Sequence, residues 1–206
     1  MVNIWHQSLL SGPEDPALDK LLTLGRYYPL MTYLRYLVFI PVFMLSGCST
    51  INNLKSFTTP YHEPPSPTSS RLRIVTSQTV RLVPGSTCID WALPGVGMVN
   101  SRTFAVANDR TFNDRILGIP GGDGVQNSSE VYIEPGKPIT LVYAGTPANG
   151  RYQCFTSVHF VPEADTDYES SSGLCHITIE KITRNGESGK IAHTTAGGRE
   201  AKVCTN

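Results

Sequence analysis

Short runs in which polar and apolar residues alternate recur from Arg71 to the end of the chain, separated by Gly, Pro and Asn. The clearest runs are residues 71–76, 79–83, 130–134, 138–144, 152–161, 174–182 and 190–194. A period of two is typical of strands that bury one face. No stretch after residue 48 has the apolar spacing of an amphipathic helix. The sequence therefore predicts an all-β fold over residues 71–206, a small β-sandwich of Ig-like or transthyretin-like size.

The charge balance argues against one class of partner. The 206 residues carry 17 Lys and Arg against 17 Asp and Glu, and no basic run occurs. Proteins that bind nucleic acid need a surplus of positive charge to neutralise phosphates. We therefore expect no nucleic-acid partner, and the length suits one ordinary domain.

A short apolar run at 37–45 follows Arg35 and precedes the small residues Ser46 and Gly47. A membrane-spanning helix needs roughly 20 apolar residues, and this run has nine. Its layout is that of a cleaved secretory signal. Residues 31–47 are therefore predicted to be a signal peptide.

The four residues Leu45-Ser46-Gly47-Cys48 resemble the lipobox of bacterial lipoproteins. The resemblance implies cleavage between Gly47 and Cys48, a diacylglyceryl group on the Cys48 sulfur and acylation of its new amino group. Two or three acyl chains hold a protein to a bilayer almost irreversibly. Ser49, which is not Asp, implies transfer to the outer membrane in that family.

Residues 1–30 fit the start of a signal peptide poorly, since they contain Glu14, Asp15 and Asp19. We expect them to be an extension upstream of the true start, with Met31 initiating translation. The alternative is an unusually long leader.

Residues 48–70 are rich in Ser, Thr and Pro and poor in periodic apolar residues. Such a composition buries too little surface to offset the entropy of ordering. The sequence predicts a disordered tether that begins at the lipidated Cys48, holds the domain tens of ångströms from the lipid, and leaves Tyr61 and His62 in solvent.

Four more cysteines follow the predicted anchor: Cys88, Cys154, Cys175 and Cys204. An even number in an exported chain predicts two disulfides, with three possible connectivities. If the runs around Cys154 and Cys175 pair as neighbouring strands, Cys154 lies far along the ladder from Cys175. We therefore expect Cys175–Cys204 and, by elimination, Cys88–Cys154.

The candidate binding residues are Asp90 and Trp91, within the irregular stretch 88–129. A tryptophan beside a disulfide is typical of the core, yet an exposed indole in a Pro/Gly loop suits a sugar or a protein. The Gly-rich segment 118–124 lacks the Gly-Lys-Ser/Thr ending of a phosphate-binding loop, so we interpret it as a loop.

No catalytic residue, metal site or cofactor is predicted. The four carboxylates of residues 163–169 lack EF-hand spacing and are interpreted as a solvated acidic turn. His159 and His176 are expected to face each other, exposed, across two paired strands.

The stretches Phe160-Val-Pro, Asp167-Tyr-Glu and Cys175 are similar to small lipoproteins of the Gram-negative envelope. The resemblance implies a periplasmic, non-enzymatic accessory or binding subunit, anchored to the outer membrane through acylated Cys48. Its partners would be the bilayer and another envelope protein or peptidoglycan. The alternatives are a peptidoglycan- or polysaccharide-binding module, an anchoring subunit of a secretion apparatus, and an enzyme.

Overall fold

The described residues form two five-stranded sheets and one short helix. The computed structural model describes residues 47–64, 70–101, 109–146, 153–173, 175–186 and 188–205. From Cys48 onward they belong to a compact unit, Cys48–Asn206. The elements are α1 Gly47–Lys55, β1 Arg71–Val75, β2 Thr79–Pro84, β3 Gly97–Asn100, β4 Ser128–Tyr132, β5 Ile139–Gly145, β6 Cys154–Phe160, β7 Asp167–Gly173, β8 His176–Arg184, β9 Ile191–Thr195 and β10 Arg199–Glu200.

The two sheets have the strand orders β4-β1-β7-β8-β9 and β10-β6-β5-β2-β3. Only the β1–β7 pair is parallel among these strands, with Leu72 opposite Tyr168. Parallel neighbours need a crossover connection, and between β1 and β7 the chain builds four strands of the second sheet. Both sheets are thus completed by residues far apart in sequence.

The core lies between the sheets and follows the period of two in each strand. Leu72 and Ile74 of β1 and Leu141 of β5 are fully buried there. The Phe160 and Tyr168 rings meet edge to face across the core, 5.0 Å between centroids. Full burial of one such side chain stabilises the fold by about 1.5–3 kcal/mol. The predicted β-sandwich is confirmed.

The acidic turn expected over residues 163–169 ends earlier than predicted, because β7 occupies Asp167–Gly173 and pairs with both β1 and β8. Tyr168 and Ser170 are its buried residues. The small hydroxyl of Ser170 is satisfied there by Tyr143 of the other sheet, whose hydroxyl donates to it over 2.8 Å. A strand can therefore be central while having almost no apolar residues.

The expected pairing of His159 with His176 is also wrong. His159 on β6 lies opposite Thr140 and Arg199, whereas His176 on β8 lies opposite Gly173 in the other sheet. Because β7 supplies the partner of β8, the strands that carry the two histidines are not neighbours.

The tether prediction is wrong for residues 48–55, which belong to the helix α1 where no helix was expected, and for the residues just after α1. Pro60 forms a β-bridge with Met98 of β3, and the Tyr61 amide donates to the Met98 carbonyl over 2.9 Å. Tyr61 is only 3% exposed, while His62 is exposed as expected. A Cβ at Gly97 would lie 2.3 Å from the Pro60 carbonyl oxygen, so glycine there permits the close approach. Residues 65–69 lie outside the described part of the chain.

All four cysteines form disulfides, but the expected connectivity is wrong: the bonds are Cys88–Cys204 and Cys154–Cys175. The C-terminal segment returns beside residue 89, where the Ile89 amide donates to Lys202 and the Cys204 amide donates to Ile89. Cys154 begins β6 and Cys175 precedes β8, so the second bond links the two sheets.

Candidate functional site

A buried arginine on the outer face of the second sheet marks the candidate site. The Arg81 guanidinium lies between the rings of Phe57 and Trp91, 3.7 Å from each centroid. Its Nη1 donates to Asn53 Oδ1 and to Ser56 Oγ, each over 2.7 Å. The residue is 1% exposed. These contacts attach the end of α1 and the Trp91 turn to β2.

No carboxylate among the described residues pairs with Arg81, and its Nε has no hydrogen-bond partner in that part of the chain. Burial lowers the pKa of Arg81 to about 9, so the side chain remains charged at neutral pH. Stacking of a desolvated cation on aromatic faces stabilises it by ~2 kcal/mol. The site therefore holds a positive charge that no acid of the described ranges neutralises.

A cavity of about 250 Å³ adjoins this stack. One wall comes from the end of α1 and the turn after it, and the other from residues 91–96; the walls include Asn52, Lys55, Ser56, Trp91, Leu93 and Gly95. We call it the Trp91 cavity. Its volume lies below the roughly 300–1,000 Å³ usual for drug-sized ligands. It suits a small chemical group.

The second wall is shaped by a local turn. The Asp90 carboxylate accepts a hydrogen bond from the Ala92 amide over 2.9 Å, which fixes an Asx-type turn. Gly95 follows Pro94 with φ 84°, a left-handed conformation that favours glycine. Its carbonyl accepts from the His62 amide. Asp90, a predicted binding residue, is thus engaged in holding the turn.

Trp91 was expected to be either a core residue or an exposed binding residue, and it has features of both. The half-buried indole packs against a small apolar cluster that contains Val83, Ile89 and Val142, and it also lines the cavity. The guanidinium of Arg81 covers one of its faces. Stacking by a sugar on that face is therefore blocked.

Sequence reasoning missed Arg81 and Lys55. The signal for Arg81 was present, because it interrupts the apolar part of the run Thr79-Val-Arg-Leu-Val. A long charged side chain on a strand that is buried on both faces needs dedicated partners. Lys55 carried no comparable signal, since it lay in a segment interpreted as a tether.

The irregular stretch after β3 is held in place by a second buried arginine. Arg73 of β1 is 1% exposed and forms ion pairs with Glu130 and Glu169, each at 2.9 Å. It also donates to the carbonyls of Ile119 and Pro120. Two backbone carbonyls of the Gly-rich loop 118–124 therefore accept hydrogen bonds from Arg73.

The carboxylates of residues 163–169 do not form one cluster. Asp167 pairs with Arg71, Glu169 with Arg73 and Glu163 with Lys181. The solvated-turn interpretation is therefore wrong for the two that lie on β7, which face basic residues of β1. Within the described ranges, no group of three or more His, Cys, Asp or Glu is arranged to hold a metal ion.

A second cavity of about 270 Å³ lies beside β6 and the start of β8. Thr156, His176, Gly198 and Glu200 contribute to its walls. Its wall also contains Ser157, whose hydroxyl donates to the Ala201 carbonyl over 2.6 Å.

Cys48, the predicted lipidation site, is the second residue of α1 and the first of the compact unit. Within the described residues, none of the helical structure is both long and apolar enough to cross a bilayer. No family model, curated protein or solved structure matches the chain.

Proposed function

We propose that the chain is a lipoprotein of the Gram-negative envelope, anchored by acylated Cys48 to the periplasmic face of the outer membrane. Its β-sandwich acts there as a non-enzymatic binding subunit. The sequence basis is the apolar run at 37–45 followed by the lipobox-like residues Leu45-Ser46-Gly47-Cys48.

The observation that carries the proposal is the position of the domain boundary. The compact unit begins at Cys48, and the unit before it ends at Gly47. This is the bond at which the lipobox resemblance places signal-peptide cleavage. Every strand described above and every described residue that lines the Trp91 cavity follows residue 47.

The disulfides support export to an oxidising space. All four cysteines after Cys48 are paired, and such bonds persist outside the reducing cytosol. The same compartment is where lipoprotein processing delivers its products.

The binding role is assigned to the Trp91 cavity. It combines a concave surface, a half-exposed aromatic ring and an unneutralised buried charge. Such a combination of an apolar wall with a few fixed polar groups is typical of a binding site.

Fractionation of cells that express the chain tests the anchor. The wild type should be recovered in the outer membrane, with a mass that lacks residues 1–47 and includes acyl chains. Ser49→Asp should shift the protein towards the inner membrane, whereas the matched control Thr50→Ala should fractionate like wild type. A wild-type chain without acyl mass would contradict the proposal.

A further inference from the structure

Helix α1 exposes two large apolar side chains next to the Trp91 cavity. Ile51 is 65% exposed and Leu54 is 60% exposed. They are three residues apart, which places them on neighbouring positions of one helix face. Lys55, whose side chain is exposed, follows them and lines the cavity.

We propose that α1 and the Trp91 cavity together form a lipid-binding surface, in which Ile51 and Leu54 contact the bilayer interface and the cavity takes the phosphate of an anionic phospholipid. This inference rests on the proposed lipidation of Cys48.

The length of α1 places the cavity near the headgroup layer. An α-helix rises about 1.5 Å per residue, so Lys55 lies about 10 Å along α1 from Cys48. The headgroup region on each side of a bilayer is about 5–8 Å deep. Residues after α1 then return to the sandwich at Pro60 and Tyr61 rather than extending away. A lipid on Cys48 therefore brings the cavity to the headgroup layer.

The charge around the cavity is positive. Arg81 lies behind the cavity wall without an acidic partner among the described residues, and Lys55 lines the cavity. The residues that line the cavity include no Asp or Glu. Both charges therefore attract an anion, and nothing in the lining repels it.

The lining of the cavity also contains hydrogen-bond donors. The Ser56 and Thr59 hydroxyls already donate to backbone carbonyls. Asn52 and Trp91 also line the cavity, and among the described residues neither the Asn52 side-chain amide nor the Trp91 indole N–H has a hydrogen-bond partner. Two neutral donors beside two cations match the oxygen atoms of a phosphate group.

The test uses the full chain with Trp5→Phe, which leaves Trp91 as its single tryptophan. The protein is reconstituted into vesicles of phosphatidylcholine, with or without phosphatidylglycerol. Quenching of Trp91 fluorescence by acrylamide is measured in each. We expect phosphatidylglycerol to protect Trp91 from the quencher. In Lys55→Gln, half-maximal protection should need about fivefold more phosphatidylglycerol, while Lys190→Gln, in the β8–β9 turn, should behave like the parent.

Ile51→Ser with Leu54→Ser tests the apolar contacts. The pair should weaken protection in both vesicle types, whereas Ile116→Ser, at another exposed apolar residue, should not. These substitutions are at exposed positions, so the fold is retained.

Equal quenching with and without phosphatidylglycerol would overturn the inference. Equal protection by inorganic phosphate added to phosphatidylcholine vesicles would also overturn it, since the ligand would then be a soluble anion. The intact mass of the same samples reports acylation of Cys48. If the chain is acylated but phosphatidylglycerol does not protect Trp91, only the lipid site is rejected. If the chain carries no acyl mass, the proposed function is rejected as well.

Discussion

The Arg81 guanidinium lies 3.7 Å from the centre of the Trp91 ring, and no acid neutralises it among the described residues. This contact joins the middle of β2 to the turn that forms one wall of the cavity. The Phe57 ring covers the other face of the guanidinium. One side chain thus connects the sheet, the segment after α1 and the candidate site.

Replacement of Arg81 should show that the planar shape of the guanidinium, which stacks on two rings, contributes more to the free energy of unfolding than its positive charge. Arg81→Lys buries a compact ammonium that cannot stack on two rings, so we expect a loss of about 2–4 kcal/mol in the free energy of unfolding. Arg81→Met fills the space without a buried charge and should cost less, about 1–2 kcal/mol. Urea unfolding of both variants measures which of the two loses more stability. Greater stability of Arg81→Lys than of Arg81→Met would contradict this account.

Loss of the buried Arg73–Glu130 pair should both destabilise the domain and loosen the loop it holds. Arg73→Met removes the donor to two loop carbonyls and the counter-ion of the buried Glu130 carboxylate, which then keeps only the Leu117 and Ile119 amides as partners, so we expect a loss of about 3–5 kcal/mol. Amide exchange at residues 117–122 should accelerate. Lys137→Met breaks an exposed pair with Glu134 and should cost less than about 1 kcal/mol. If the two variants lost similar amounts of stability, the Arg73–Glu130 pair would not be a buried interaction that holds the loop.

The two disulfides should contribute unequally. Cys88–Cys204 joins residues 116 apart and Cys154–Cys175 joins residues 21 apart. Loop-closure entropy then predicts that the first bond stabilises the folded state by about 5 kcal/mol and the second by about 3 kcal/mol. Thermal unfolding of Cys88→Ala/Cys204→Ala against Cys154→Ala/Cys175→Ala measures the difference. Peptide mapping that found Cys175 linked to Cys204 would contradict the fold itself.

Alkaline pH should unfold the domain through buried tyrosines. Burial raises the pKa of Tyr61 and of Tyr143 well above its usual value. Below about pH 10 both residues are neutral in the folded and unfolded chains; above it the unfolded chain ionises first, so stability falls as pH rises. Urea unfolding from neutral pH upwards should show this decline. Tyr143→Phe should flatten it, although it also removes the hydrogen bond to Ser170; an unchanged slope in that variant would count against burial of the phenol.

The strands with apolar alternation were predictable because their pattern is local. Burial of Leu72 and Ile74, or of Leu141 and Tyr143, follows from a period of two that any window of the sequence displays. Strand β7 was missed because Tyr168 is the only large apolar side chain in Asp167–Gly173. Its other buried residue, Ser170, depends on a partner in the opposite sheet.

The disulfide connectivity and the site depended on strand order, which no local pattern contains. With β7 inserted beside β8, Cys175 meets Cys154 across the sheets instead of Cys204. Trp91 was selected from its loop alone, whereas its neighbours Phe57 and Arg81 come from other parts of the chain. The segment after Cys48 was interpreted as a tether because its apolar residues are few and not periodic, and the burial of Tyr61 depends on the distant strand β3.

The most direct test of the central claim is the intact mass and membrane fractionation of the wild type beside Cys48→Ala. We predict that the wild type loses residues 1–47, gains two or three acyl chains and remains with the outer membrane, and that Cys48→Ala shows neither the processed mass nor the acyl mass. Identical masses and identical fractionation of the two proteins would contradict the lipid anchor.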